Sequence, residues 1–205
     1  MKKIIMNFIM NYIKKNSNYS KNELLEIEYG LVGIYLTLSK MIIIFILAYI
    51  LGILKETVIF MFLFNIIRTT AYGLHATKSW ICLVSSTIIF IIVPLLCKYL
   101  IININIKFFI GVISIILIYK NAPADTKKRP IVNKKRRKIL KYISTFIAIS
   151  FFISSLIINN DFISNCLIFA IIVENCLISP FVYKIFNLPY NNYVEFLKSH
   201  PDFNN

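Results

Sequence analysis

The chain has 205 residues, of which 58% are hydrophobic and 16% charged, against roughly 45–50% and about 25% in soluble domains. With a mean hydropathy of +0.73, that excess excludes a secreted disulfide scaffold, an intrinsically disordered chain and an ordinary cytosolic enzyme. The 23 Lys and Arg outweigh 9 Asp and Glu, a net +14, and because they flank apolar runs they point to anionic lipid and topology signals before nucleic acid.

Residues 1–16 read as an amphipathic helix in the headgroup plane. Ile4, Ile5, Phe8, Ile9, Tyr12 and Ile13 share one face, while Lys2, Lys3, Asn7, Asn11, Lys14 and Lys15 fill the other. The apolar run is broken by asparagines and no small-residue cleavage site follows, so the segment is expected to stay in the mature protein. A polar stretch over 16–23 leads to six apolar runs: 31–54, strongest from Met41; 57–67, reaching a spanning length only past Arg68 towards Ala71; 80–100; 106–119; 142–158; and 162–186. About 20 helical residues cross a ~30 Å hydrocarbon core, which leaves 106–119 short. Period-2 alternation is missing, which excludes a β-barrel. The expected fold is an all-α integral membrane protein of about six transmembrane helices plus the N-terminal amphipathic interfacial helix, as a single domain over 1–205.

Residues 120–141 hold ten basic side chains and one acid, Asp125. The positive-inside bias puts this basic loop in the cytoplasm. Counting spans in both directions brings 68–79 and both termini to the same side.

Chemistry concentrates in Arg68-Thr-Thr-Ala-Tyr-Gly-Leu-His75-Ala-Thr-Lys-Ser-Trp-Ile-Cys82. Cys and His suffice for thiol acyl transfer, with imidazole taking the proton, thiolate attacking a carbonyl and imidazolium protonating the leaving amine. On one unbroken helix these two residues would share a face yet lie ~10 Å apart along the axis, so a working pair requires a break between them. Ser79 as N-cap would leave Cys82 at the third helical position, where free amides and the positive dipole end favour a thiolate. Gly73 would let the chain fold His75 back. The bland alternative is a packing cysteine beside a solvated loop histidine. Cys97, Cys166 and Cys176 have no histidine nearby and read as packing residues, and His200 as solvated. Without CxxC pairing and with two histidines, neither a metal site nor a cofactor is expected. Glu174, inside the last apolar run, marks either a buried pair or a polar pathway. Lys40 and Arg68 are possible partners for it, though snorkelling is the simpler account of both. The basic loop reads as a lipid anchor or as a dock for an acidic peptide.

The run Ala71-x-Gly73-x-His75-Ala76, with Cys82 downstream and Arg68 upstream, resembles the accessory gene regulator protein B (AgrB) family. A second block, Tyr119-Lys-Asn-Ala-Pro-Ala-Asp-Thr-Lys-Lys-Arg-Pro-Ile131, is similar to that family's loop motif. Length, helix count and the amphipathic start also fit, so the likeness covers the whole chain. It implies a cysteine endopeptidase of the bacterial cell membrane that cleaves an AgrD-type autoinducing-peptide precursor near its C-terminal end. Cys82 would be the nucleophile and His75 the base, through a thioester acyl-enzyme that an internal nucleophile of the peptide opens to close a thiolactone or lactone ring. Arg68, Gly73 and Ser79 would support them, on the cytoplasmic side. Lys127, Lys128, Arg129, Lys134, Lys135, Arg136 and Arg137 would bind the substrate, and the anionic inner leaflet would hold its leader. A homodimer is also implied. Val32 stands where relatives often carry Glu or Gln, and for a third catalytic residue only Asn65 offers itself. The competing readings are a small transporter or peptide-export component with Glu174 and Lys40 lining a path, and a membrane-anchored nucleic-acid binder. The latter is disfavoured because no aromatic residue is interleaved among the loop charges.

Overall fold

Capping side chains set where several helices begin in the computed structural model, which describes residues 2–17, 19–74, 79–127 and 129–200. The chain forms two compact units, Met1–Ile50 and Leu51–Asn205.

The first unit holds α1 (Lys2–Asn16) and α2 (Lys21–Ile50). On α1, Ile5, Phe8 and Tyr12 are exposed while Met6 and Met10 are buried, so much of the stripe assigned to lipid stands open. Ser20 opens α2: its N–H donates to Glu23 Oε2 at 2.7 Å, and its Oγ accepts from the Glu23 N–H at 3.3 Å. This reciprocal pair satisfies two amide donors at a helix start. The first apolar helix therefore starts well upstream of residue 31, in a stretch whose polarity suggested a linker.

The second unit comprises α3 (Leu54–Ala71), α4 (Ser79–Tyr99), α5 (Ile104–Asn121), α6 (Lys134–Ile157), α7 (Asp161–Ile178), α8 (Pro180–Ile185) and α9 (Asn192–Ser199). Asn103, Asn133 and Asn160 cap α5, α6 and α7, each side chain accepting a backbone N–H of the first turn. Two boundaries depart from expectation. The Asn133 cap and the good helix propensity of Lys and Arg draw Lys134–Lys141 into the first two turns of α6, so only 122–133 of the basic loop is non-helical. The run 162–186 is cut at Ser179, because Pro180 has no N–H and holds its predecessor extended, at φ −69° and ψ 128°.

Five helices, α2 and α4–α7, are long and apolar enough to cross a membrane. α3 is helical where expected, but Lys55, Glu56 and Arg68 interrupt its apolar character. Named strands are absent among the described residues, which hold only isolated bridges. This is a multi-pass, all-α membrane protein.

Within the second unit α7 is the axis: it packs on α3, α4, α5 and α6, and 56% of its apolar window is buried against 22% or less in the other spans. Small residues let its neighbours approach, as membrane helix contacts require. Ala170 and Cys166 join Phe60, Phe64, Val93 and Cys97 in one cluster, and Ile171 and Ile178 join Ile67, Ala71, Ile118 and Phe152 in another. Gly111 does the same for α5, where a Cβ would collide with the Phe152 ring on α6. The up-and-down order brings the end of α3, the starts of α4 and α6 and the ends of α5 and α7 to one end of this unit.

Candidate functional site

α3 ends in a turn that ordinary residues avoid. Tyr72 has φ +60° and ψ −126°, and Gly73 follows at φ +106°. Positive φ at a bulky aromatic residue costs about 1–3 kcal/mol and persists only where the surroundings impose it. Here they do. Arg68 Nη1 donates to the Tyr72 carbonyl and Nη2 to the Leu74 carbonyl at 2.7 Å. The Gly73 N–H donates to Ala124 O at 2.8 Å and the Leu74 N–H to Leu177 O at 2.9 Å. Glycine is the residue that fits, since a Cβ would lie 2.5 Å from Arg68 Nη1 and 2.8 Å from Leu177 O.

Arg68 also meets Glu174 of α7, Nη1 to Oε1 at 3.3 Å, with the carboxylate side chain fully buried. The pair of readings held open for these residues thus resolves into a buried ion pair, which also removes Glu174 as a bare charge for a transport path.

The loop after α5 locks onto the same turn. The Ala124 N–H donates to Ala71 O at 3.0 Å, making a parallel bridge between Tyr72 and Ala124, next to a cis Ala122–Pro123 bond. Asp125, the single acid in the basic stretch, is buried and gathers four donors. Its Oδ1 accepts from the Asn192 N–H at 2.9 Å, and its Oδ2 from the Tyr193 N–H at 2.9 Å, the Ile131 N–H at 3.3 Å and Arg137 Nη1 at 3.4 Å. Tyr183 donates its hydroxyl to Asp125 O at 3.0 Å and Tyr190 to Asn121 O at 3.3 Å. Burial pushes both phenols above the usual tyrosine range, so they serve as donors at neutral pH. The C-terminal segment is thereby strapped over the loop.

Of the residues singled out by sequence, Arg68 and Gly73 come together, touching Tyr72 and Leu74. His75 and Lys128 lie outside the described residues. Cys82 is partly buried near the start of α4, with its thiol not in a disulfide. Ser79 is itself helical rather than the capping residue, so Cys82 is at least the fourth residue of α4 instead of the third. Lys127, Arg129, Lys134, Lys135 and Arg136 are exposed, and Arg136 Nη2 reaches the Tyr72 hydroxyl at 3.4 Å. Arg137 is instead engaged with Asp125 and lies 3.5 Å from the Tyr193 ring centroid. Asn65 donates to Met61 O of its own helix. Cys97 and Cys166 are core residues, whereas Cys176 is exposed rather than packed. His200 stacks on Phe196. Among the described residues no cluster of three or more His, Cys, Asp or Glu could hold a metal ion.

Sequence reasoning missed Asp125 as the hub and the Arg68–Glu174 pair as the turn's support. The signals were present: one acid among ten bases, and one carboxylate inside an apolar run.

A family model described as Accessory gene regulator B matches residues 6–180. The chain belongs to the accessory gene regulator B family. It is 33% identical over 174 residues to an AgrB-like protein of Clostridium acetobutylicum, covering 85% of this chain and 83% of the relative. It is 35% identical over 141 residues to accessory gene regulator protein B of Staphylococcus aureus strain MRSA252, covering 67% and 75%. For strain Newman the figures are 36% over 143 residues, covering 69% and 75%. No solved structure matches. The matched region contains both sequence blocks that meet in the strained turn.

Proposed function

We propose that this protein is a membrane cysteine endopeptidase that processes a quorum-sensing propeptide of the AgrD type. Membership of the accessory gene regulator B family supports the broader role in quorum-sensing peptide processing. The observation that carries the chemistry is the knot at the end of α3. A strained turn over Tyr72–Leu74, held by Arg68, Ala124 and Leu177, lies at the end of the unit that also holds the start of α4 with Ser79 and Cys82, and His75 follows it in the sequence. Backbone strain that its surroundings enforce is a mark of functional sites.

In this reading His75 takes the Cys82 proton and the thiolate attacks the carbonyl of the scissile peptide bond. The C–N bond breaks, the imidazolium protonates the leaving amine, and a thioester joins Cys82 to the remaining peptide. An internal thiol of that peptide then attacks the thioester, closing a thiolactone while the Cys82 thiolate leaves and recovers a proton. An internal hydroxyl would give a lactone. Water must be kept from the thioester until the ring closes, and a position at the membrane boundary favours this.

The exposed Lys127, Arg129, Lys134, Lys135 and Arg136, with Lys128 beside them in sequence, would hold an acidic stretch of the propeptide by charge. Its amphipathic leader would lie on the anionic leaflet, concentrating it in two dimensions. The positive-inside bias of this segment puts the site and both termini in the cytoplasm.

Cys82→Ala tests the assignment. The variant should insert normally and lose both propeptide cleavage and the mass of a peptidyl thioester on the enzyme. Cleavage at the parental rate by this variant would remove Cys82 as the nucleophile.

A further inference from the structure

Building on the peptidase reading, we infer that Glu174 is a positioning residue for the Tyr72–Leu74 turn that precedes His75 in the sequence, and acts through Arg68. The guanidinium makes three contacts at once: Glu174 Oε1 at 3.3 Å, Leu74 O at 2.7 Å and Tyr72 O. Leu74 directly precedes His75 in the chain, so the Arg68–Leu74 bond sets where the chain enters the histidine.

Charge explains why an acid is needed on α7. Arg68 is only 16% exposed in its side chain, and a guanidinium held away from water needs compensation. Without an anion opposite it, a long basic side chain near a membrane boundary turns its head towards water or headgroups. That movement would abandon both carbonyls. Dependence runs the other way too, since among the described residues Glu174 Oε2 has no hydrogen-bond partner and Oε1 is paired with Arg68.

Position on the helix fits the role. Glu174 lies one turn before Leu177 and Ile178, which close the other side of the turn: Leu177 O takes the Leu74 N–H at 2.9 Å, and Ile178 Cγ2 would lie 3.1 Å from a Cβ on Gly73. One helix therefore presents the carboxylate that anchors Arg68 and the carbonyl that anchors Leu74. The carboxylate reaches the turn through Arg68, so its influence is on geometry.

The test is a kinetic cycle in membranes, with kcat and KM for propeptide cleavage measured for Glu174→Gln, Arg68→Met, the double variant and Glu174→Asp, each normalised to inserted protein. Misplacement of a reacting group by about 1 Å costs on the order of 100-fold in rate. Glu174→Gln is therefore expected to lower kcat by that order and leave KM within about threefold. Alkylation of Cys82 by a small maleimide under alkaline conditions, where a thiol ionises without help from a base, should proceed unchanged. Glu174→Asp, which keeps the charge, should recover at least about tenfold of the loss, and the double variant should be no worse than Arg68→Met alone, because both act on one contact. Parental kcat in Glu174→Gln, equal kcat for Gln and Asp, or multiplying losses in the double variant would each overturn the inference. If Glu174→Gln fails to accumulate, the double variant, which leaves no unpaired charge to bury, replaces it under the same comparison with Arg68→Met. Cys82→Ala runs in parallel: parental cleavage there defeats the peptidase reading itself, whereas an inactive Cys82→Ala beside a fully active Glu174→Gln defeats this inference alone.

Discussion

The two ends of the second unit both bury polar groups, yet they are built for different purposes. At the end away from Cys82, Lys107 Nζ donates to Ser164 Oγ at 2.6 Å, and Ser164 Oγ donates to Ser155 O at 2.6 Å. Asn165 holds the Cys97 and Leu100 carbonyls at 3.1 and 2.8 Å, closing the end of α4, and Glu56 pairs with Lys98 at 2.7 Å. These bonds satisfy helix ends and loop backbone that hydrocarbon would leave bare. At the Cys82 end the polar groups hold a turn that its own residues resist, with Tyr72 and Gly73 at positive φ. Burial of polar side chains is thus common to both ends. Enforced strain distinguishes the end that carries the candidate site.

The sharpest way to break this contrast is Gly73→Ala. The new methyl would press on the guanidinium and on Leu177 O in a conformation unfavourable for alanine, so cleavage should fall by on the order of 100-fold at normal insertion. Cleavage assays on membranes matched for protein content decide it, and a near-parental rate would mean the turn is not needed. Asp125→Ala comes next. It leaves Arg137 and three backbone N–H groups without their acceptor, and loss of one partner of a buried pair costs about 3–5 kcal/mol. Trypsin should then cut at Lys184 or Lys198 well before it does in the parent, because the strap no longer holds.

A smaller, more selective effect is expected from Lys134→Gln, Lys135→Gln and Arg136→Gln together. KM for the propeptide should rise about three- to tenfold at low salt, with the gap from the parent narrowing at high salt and kcat preserved. An unchanged KM would leave these residues as lipid anchors. Least of all should be felt at the other end. Lys107→Met removes one buried bond there, and we expect about 1 kcal/mol in thermal stability with cleavage kinetics unchanged. A large loss of kcat from that substitution would show the two ends to be coupled.

Much of this was legible beforehand because it depends on local pattern. Apolar runs bounded by charges located the long helices, and the two motif blocks marked the segments that meet at the strained turn. What escaped had a nonlocal cause or a small local one. Ser20 and Asn133 moved helix starts into polar stretches because a single capping side chain outweighs the polarity of the residues it recruits. Pro180 divided a run whose composition looked continuous. Arg68 looked like a snorkelling base because the one acid in its own helix, Glu56, lies about three turns away.

By itself, the order of residues determined the class of molecule, the helices and the pair Cys82 and His75 as the place to look, since hydropathy and motif spacing act over short stretches. Only the folded bundle decided that Arg68 faces Glu174, that the Ala124 backbone clamps the turn before His75, and that Asp125 ties down the C-terminal strap. Those partners are separated by 106, 53 and 67 or so positions in the chain, and only close packing of α3, α5, α6 and α7 brings them within hydrogen-bond reach.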